Sequence, residues 1–190
     1  MRTGISVYLS SPLQDIERTI EHGAAAGARY AFTSLHIPED GGAAYAGKVR
    51  QVLSLLSARG IALIAGVGPR TCDLLGLERM EDLRDLGLEY LRLDYGFGPQ
   101  RVAELSGVFR IVVNASTVSP DEIASWREAG ADVTRFAACH NFYPKPYTGL
   151  ALEDIARTNL RLAALGFEIM AFVPGDANVR GPVFEGLPTV

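Results

Sequence analysis

The chain has 190 residues, 48% of them hydrophobic and 21% charged, with a formal net charge of −4. That length and apolar content suit one globular domain with a large core and leave no room for two full ones. The acidic balance excludes a general nucleic-acid or anionic-membrane surface, which needs a clustered positive field, so an anionic ligand must be met by individually placed Arg or Lys side chains.

The chain repeats one punctuation: a helical stretch, a glycine, then a β-rich run. Thr3 to Leu9 is the first strand-like run. Gly27 precedes Tyr30 to Leu35, Gly60 precedes Ile61 to Ala65, and Gly87 precedes Tyr90 to Leu93. Gly107 precedes Arg110 to Val113, Gly130 precedes Val133 to Ala138, and Gly166 precedes Glu168 to Phe172. Each glycine stands where a helix C-cap uses a left-handed residue. Ser11-Pro12-Leu13-Gln14 and Ser119-Pro120-Asp121-Glu122 read as capping boxes with Pro at the first helical position. Apolar stripes at helical spacing mark core faces: Leu13, Ile16 and Ile20; Val49, Val52, Leu53 and Leu56; Leu152, Ile155, Leu160 and Leu162. His22 reads as a surface residue and Trp126 as packing.

Strands alternating with helices imply a parallel sheet with right-handed crossovers. No GxGxxG follows the first strand, so a TIM-like (β/α) barrel is expected over a doubly wound sheet. Seven strands are recognisable, and the Pro- and Gly-rich stretch from Val173 to Val190 is too short for a further helix and an eighth strand. The expectation is therefore a single barrel domain over 1–190 with its last repeat truncated, the N-terminal part of a longer protein. Cys72 and Cys139 form no CxxC pattern, which offers no zinc framework and suits a reducing compartment. Met1-Arg2-Thr3 runs straight into a strand, without a signal peptide, and no apolar run approaches the roughly 20 residues of a membrane span. The cytoplasm is the expected address.

Chemistry-bearing residues gather after strands, where α/β folds place ligands. The densest group is Cys139-His140-Asn141-Phe142-Tyr143-Pro144-Lys145-Pro146-Tyr147, far richer than a connector requires; a Pro-stiffened surface loop is the plain alternative. Along Tyr90-Leu91-Arg92-Leu93-Asp94 the polar residues share one face, so Arg92 and Asp94 point together, either as an ion pair that fills the barrel or as a functional pair. Asn114 ends the fifth strand in phase with Val112. Ser34, His36 and Glu39 follow the second strand, and Asp176, Arg180 and Glu185 lie in the last segment. His140 falls on the face of Phe136 and Ala138.

No GxSxG elbow supports a nucleophilic serine. His36, His140, Asp94 and Glu39 could hold a metal, yet no HxH or HExxH pairing supports it. Paired carboxylates for glycoside hydrolysis need a proton donor and an ionised partner across the scissile bond, and Glu39, Asp94, Asp176 and Glu185 offer several pairs. Tyr8, Tyr143 and Tyr147 could stack on sugar faces, and Arg70, Arg92, Lys145 or Arg180 could bind a phosphate or carboxylate.

Four motifs add a resemblance: Phe32-Thr33-Ser34-Leu35-His36-Ile37-Pro38-Glu39, Arg92-Leu93-Asp94-Tyr95-Gly96-Phe97, Cys139 to Pro144 with Tyr147-Thr148-Gly149-Leu150, and Glu185-Gly186-Leu187-Pro188-Thr189. Collinear over nearly the whole chain, they resemble the 6-phospho-N-acetylmuramidase family of the MupG type. The resemblance implies a TIM-like barrel followed by a cyclophilin-like β domain, and a cytoplasmic bacterial enzyme of peptidoglycan recycling. It implies hydrolysis of the β-1,4 bond of 6-phospho-N-acetylmuramyl-N-acetylglucosamine, with no metal or organic cofactor. On this reading Asp94 and Glu185 are the acid and the nucleophile or base, with Glu39 in reserve. His36, Arg92, His140, Asn141, Tyr143 and Tyr147 position the sugar, Ser34 and Asn114 bond its polar groups, and Arg70 and Arg180 meet the phosphate. A non-catalytic phosphosugar-binding barrel and a metal-dependent sugar-phosphate isomerase or epimerase using His36 and His140 are the rival expectations.

Overall fold

The computed structural model describes residues 2–36, 43–141 and 150–173. The elements alternate as expected: β1 (Gly4–Ser6), α1 (Leu13–Ala25), β2 (Tyr30–Ser34), α2 (Ala43–Ser57), β3 (Ala62–Val67), α3 (Thr71–Leu75) and β4 (Tyr90–Leu93). Then come α4 (Pro99–Ser106), β5 (Arg110–Asn114), α5 (Pro120–Glu128), β6 (Ala137–His140), α6 (Leu152–Ala164) and β7 (Glu168–Ala171). Short 3-10 turns stand at Met80–Leu83 and Val133–Arg135. Among the described residues the seven strands follow chain order in a parallel sheet, an α/β TIM-like fold whose barrel is incomplete against the eight strands of a closed one.

The chain forms two compact units, residues 1–111 and 112–190. In the first, β2, β3 and β4 align Phe32 with Ile64 and Tyr90, then Ser34 with Gly66 and Arg92. Because side chains alternate, these residues share one face. The opposite face carries Ala31, Leu63, Ala65 and Leu91, all buried, and the core is completed by Ile16 and Ile20 of α1 and Val49, Val52, Leu53 and Leu56 of α2. Each such large aliphatic side chain contributes about 1.5–3 kcal/mol on burial. In the second unit, Trp126 packs its ring 6.0 Å from Phe136, which stands 5.8 Å edge-on to Phe167. Trp126 is thus a packing residue, and His22 is exposed on α1.

Several local expectations shift. The Ser119 box forms in full: Glu122 N–H donates to Ser119 Oγ, and Ser119 N–H donates to a Glu122 carboxylate oxygen. Ser11 makes no such cap. Pro12 takes the N-cap position, and the Ser11 carbonyl accepts from Lys48 Nζ at 2.6 Å instead. The run from Val133 begins as a 3-10 turn, because Asp132 accepts from Thr134 N–H and bends the chain, so β6 starts only at Ala137. Gly107 keeps an ordinary helical φ of −68°, unlike Gly60 at +65°. On α6, Ile155 and Leu162 are buried while Leu152 and Leu160 are exposed. Leu160 lies about 140° around the helix from Ile155 at 100° per residue, so it cannot share that stripe.

Candidate functional site

The first unit builds a polar row at the carboxyl ends of β2, β3 and β4. Arg92 ends up on the face of Phe32, Ser34 and Gly66 with its side chain 5% exposed. A guanidinium so buried requires partners. Its Nε donates to Asp94 Oδ1 at 2.9 Å, and its Cζ stands 5.7 Å from the Phe32 ring centroid, a cation–π distance. Asp94 follows two residues after Arg92 and so projects to the same side, its side chain 21% exposed. The ion pair anticipated for these residues is present.

Oδ2 of Asp94 faces a second partner. His36, two residues beyond Ser34, places Nδ1 3.9 Å from it. That is about 1 Å beyond hydrogen-bond length, so the pair is in ionic reach without being bonded. Nδ1 is buried and has no hydrogen-bond partner among the described residues, while the His36 side chain keeps 14% exposure. Tyr95 stands edge-on to the imidazole, centroids 6.0 Å apart.

Two glycines on one face of β3 and its loop make room for this group. A Cβ on Gly66 would lie 3.3 Å from Asp94 Oδ2 and 3.5 Å from both Phe32 Cζ and Ser34 Cα. One on Gly68 would lie 3.2 Å from His36 Cβ and 3.5 Å from the Tyr95 hydroxyl. The Gly68 N–H donates to the buried Thr71 Oγ1 at 3.0 Å, which ties the turn into α3. Arg70, an exposed residue, opens that helix.

Separate from this row, a cavity of about 680 Å³ is lined by Pro69, Cys72, Glu81, Phe97 and Arg101 among others. Arg101 donates to both carboxylate oxygens of Glu81, at 2.6 and 2.9 Å, and to Glu104 at 2.9 Å. That guanidinium holds the Glu81 carboxyl down at about 2, and the two carboxylates raise Arg101. Burial pushes the Cys72 thiol up, which makes it a poor nucleophile.

In the second unit Asn114 is half-buried, and its Oδ1 accepts from Ser116 N–H at 3.0 Å, closing a turn after β5. His140 lies on the face of Phe136 and Ala138, as the alternation indicated. That face packs on helices: His140 is 1% exposed, and its Nε2 meets Asn159 Oδ1 of α6 at 2.7 Å. Nδ1 of His140 is buried without a hydrogen-bond partner among the described residues. His140 therefore sits in the layer between β6 and α6. Asn141 is half-buried. Glu39, Tyr143, Tyr147, Arg180 and Glu185 lie outside the described residues.

Among the described residues no three His, Cys, Asp or Glu side chains converge as a metal site, and no helix is long and apolar enough to cross a membrane. Sequence reasoning left Phe32, Gly66, Gly68, Tyr95 and Asn159 without a role. The Gly66-Val67-Gly68 spacing could have pointed to a close approach on one strand face. Asn159 gave no local signal, being nineteen residues from the ring it holds.

The model for the 6-phospho-N-acetylmuramidase N-terminal family matches residues 3–190. A crystal structure of a conserved Enterococcus faecalis protein of unknown function is 34% identical, with a TM-score of 0.86, covering 100% of this chain and 53% of that one. An uncharacterised B. cereus protein, 23% identical with a TM-score of 0.76 over 96% of this chain and 50% of its own, shares the fold. The chain thus spans about half the length of these solved structures. No curated protein matches it. A family model extending over nearly the whole chain, on a TIM-like frame with an Arg92–Asp94 pair at its strand ends, establishes that the chain belongs to the 6-phospho-N-acetylmuramidase N-terminal family.

Proposed function

We propose that this chain is the barrel portion of a cytoplasmic bacterial glycosidase that hydrolyses the β-1,4 bond of 6-phospho-N-acetylmuramyl-N-acetylglucosamine during peptidoglycan recycling. The family name supports the substrate. The observation that carries the chemistry is Asp94. This carboxylate is held by a buried Arg92 on one oxygen, and the other is turned towards His36 and room left by Gly66. Glycoside hydrolysis needs such an ionised group and a proton donor on the two sides of the scissile bond. Glu185, with Glu39 in reserve, is the second carboxylate of this reading.

Ser34, Asn114, Asn141, Tyr143 and Tyr147 bind the sugar in this proposal, and Arg70 and Arg180 the phosphate. His36 and Arg92 border the reacting bond, while His140, buried against α6, is left out of direct contact with the sugar in this proposal. The N-terminal scope of the family description and the half-length coverage of the solved relatives support a longer enzyme, and the family resemblance is the ground for proposing a C-terminal cyclophilin-like domain in it. No metal or organic cofactor enters the reading.

The test is release of N-acetylglucosamine from the phosphorylated disaccharide by the full-length protein. Asp94→Asn and Glu185→Gln are each expected to lower kcat/KM at least 100-fold, the scale of a lost acid or base. Variants retaining activity within about tenfold would remove those residues from the mechanism. Calorimetric binding of the disaccharide by wild type without any turnover would favour a binding module instead.

A further inference from the structure

Resting on that glycosidase reading and revising the part Asp94 plays in it, we infer that the proton reaches the leaving-group oxygen through His36, and that Asp94 acts as the positioning residue that holds this imidazole, which leaves Glu185 as the carboxylate at the reacting bond. Four observations lead there. Asp94 divides its two oxygens, Oδ1 to Arg92 and Oδ2 towards His36. The His36 nitrogen nearer that carboxylate, Nδ1, is buried and has no other hydrogen-bond partner among the described residues. The His36 side chain keeps 14% exposure although Nδ1 is covered, so what solvent reaches of it is not the nitrogen nearer Asp94. Gly68 leaves room beside the His36 Cβ, and the Tyr95 ring stands at 85° to the imidazole with centroids 6.0 Å apart.

An imidazole with Nδ1 turned to a carboxylate presents Nε2 outward, and the carboxylate fixes the ring in that orientation. A buried polar atom such as His36 Nδ1 is costly to leave unpaired, and Asp94 Oδ2 stands 3.9 Å from it, just beyond bonding distance. A small rotation of His36 joins Nδ1–H to Oδ2 and completes a chain Arg92–Asp94–His36.

In the proposed step the Nε2 proton passes to the glycosidic oxygen as the C1–O bond breaks, its electron pair going to that oxygen. N-acetylglucosamine leaves as the alcohol. Water then supplies the hydroxyl at C1, and its other proton returns to the ring, directly or through the second carboxylate. The sum is one water consumed and one glycosidic bond cleaved.

Two substrates separate this assignment from its rivals: the natural disaccharide, whose sugar leaving group needs protonation, and the 4-nitrophenyl glycoside of 6-phospho-N-acetylmuramic acid, whose phenolate does not. For His36→Gln, kcat/KM is expected to fall at least 100-fold on the disaccharide and less than about tenfold on the aryl glycoside. Asp94→Asn should show the same split, because its carboxylate works through the ring. His36→Asn, whose amide can still meet Oδ2, should behave as His36→Gln does, which guards against a packing defect in one variant. Equal losses of the His36 variants on both substrates, or no loss on either, would overturn the assignment. A split for His36 together with equal losses for Asp94→Asn would overturn the positioning role of Asp94. Wild-type protein that cleaves neither substrate would instead defeat the glycosidase reading itself.

Discussion

Asn159 on α6 holds the ring of His140 at the end of β6, Oδ1 to Nε2 at 2.7 Å, across a site where the histidine is 1% exposed. The other ring nitrogen has no hydrogen-bond partner among the described residues, so this one bond fixes the ring where the chain leaves β6. Asn159→Ala leaves a buried imidazole with neither nitrogen bonded among the described residues. Losing one partner of a buried pair costs about 1–3 kcal/mol, the desolvation penalty of the group left behind. The urea midpoint should fall correspondingly with the m-value unchanged. A change below about 0.5 kcal/mol would mean that packing alone seats the ring.

The Arg101 bridge gives the protein an acid-labile tie between the Met80–Leu83 turn and α4. Its guanidinium bonds both oxygens of Glu81 and lowers that carboxyl from 4.5 to about 2. A depressed folded pKa contributes stability that is fully present above the unfolded value and disappears as pH falls through the folded one. The contribution should therefore be intact above about pH 4.5 and be lost towards pH 2. With Arg101 36% exposed, solvent screening reduces it to about 1–2 kcal/mol. Glu81→Gln should lower the melting temperature at pH 7 and leave it nearly unchanged near pH 2. Equal losses at both pH values would show that the shape of Glu81, and not its charge, matters.

How far these features could be read beforehand depends on whether their cause is local. The Ser119–Glu122 box was legible because both partners lie within one turn, and the Arg92–Asp94 pair because strand alternation alone puts residues two apart on one side. The same alternation placed His140 with Phe136 and Ala138. What it could not supply was which face packs on helices, and that depends on Asn159, Phe167 and Trp126 arriving from other elements. The Ser11 box has the right spelling, yet a lysine 37 residues away claims its carbonyl while the helix starts at Leu13. For Asp94 the carboxylate was legible but the space at Gly66 that accommodates it was not, since the glycine belongs to a neighbouring strand and meets it only through sheet register.

Arg92 is expected to be coupled energetically to Asp94. Arg92→Met keeps most of the buried stem and its packing on Phe32 but leaves the Asp94 charge without its ion-pair donor. Removing one member of a buried pair costs about 3–5 kcal/mol, and the partial exposure of Asp94 should bring this to about 2–3 kcal/mol. The double variant Arg92→Met/Asp94→Asn should recover part of the loss, giving a coupling energy of about 1–2 kcal/mol in a double-mutant cycle by chemical denaturation. Strict additivity would mean that the two side chains are neighbours without being energetic partners.

Gly66 and Gly4 separate a requirement of the site from one of the frame. At Gly66 the added methyl of alanine meets Asp94 Oδ2 at 3.3 Å, the free end of a side chain, and ordinary contacts beyond it. The carboxylate can give way, so Gly66→Ala should change stability by no more than about 1 kcal/mol. The displaced oxygen is the one that faces His36, and a 1 Å misplacement can reduce turnover about 100-fold. At Gly4 the same methyl stands 2.9 Å from the carbonyl oxygen of Tyr30, which is fixed in the β1–β2 register. Backbone cannot swing aside, and Gly4→Ala should cost about 1–3 kcal/mol as an overpacking defect. Thermal melting and turnover of the phosphorylated disaccharide, measured on both variants, should thus show opposite orders: Gly4→Ala lower in Tm, Gly66→Ala lower in kcat. If Gly66→Ala matched wild type in both, the space beside Asp94 would be incidental to the reaction, and the role given to that carboxylate would lose its geometric support.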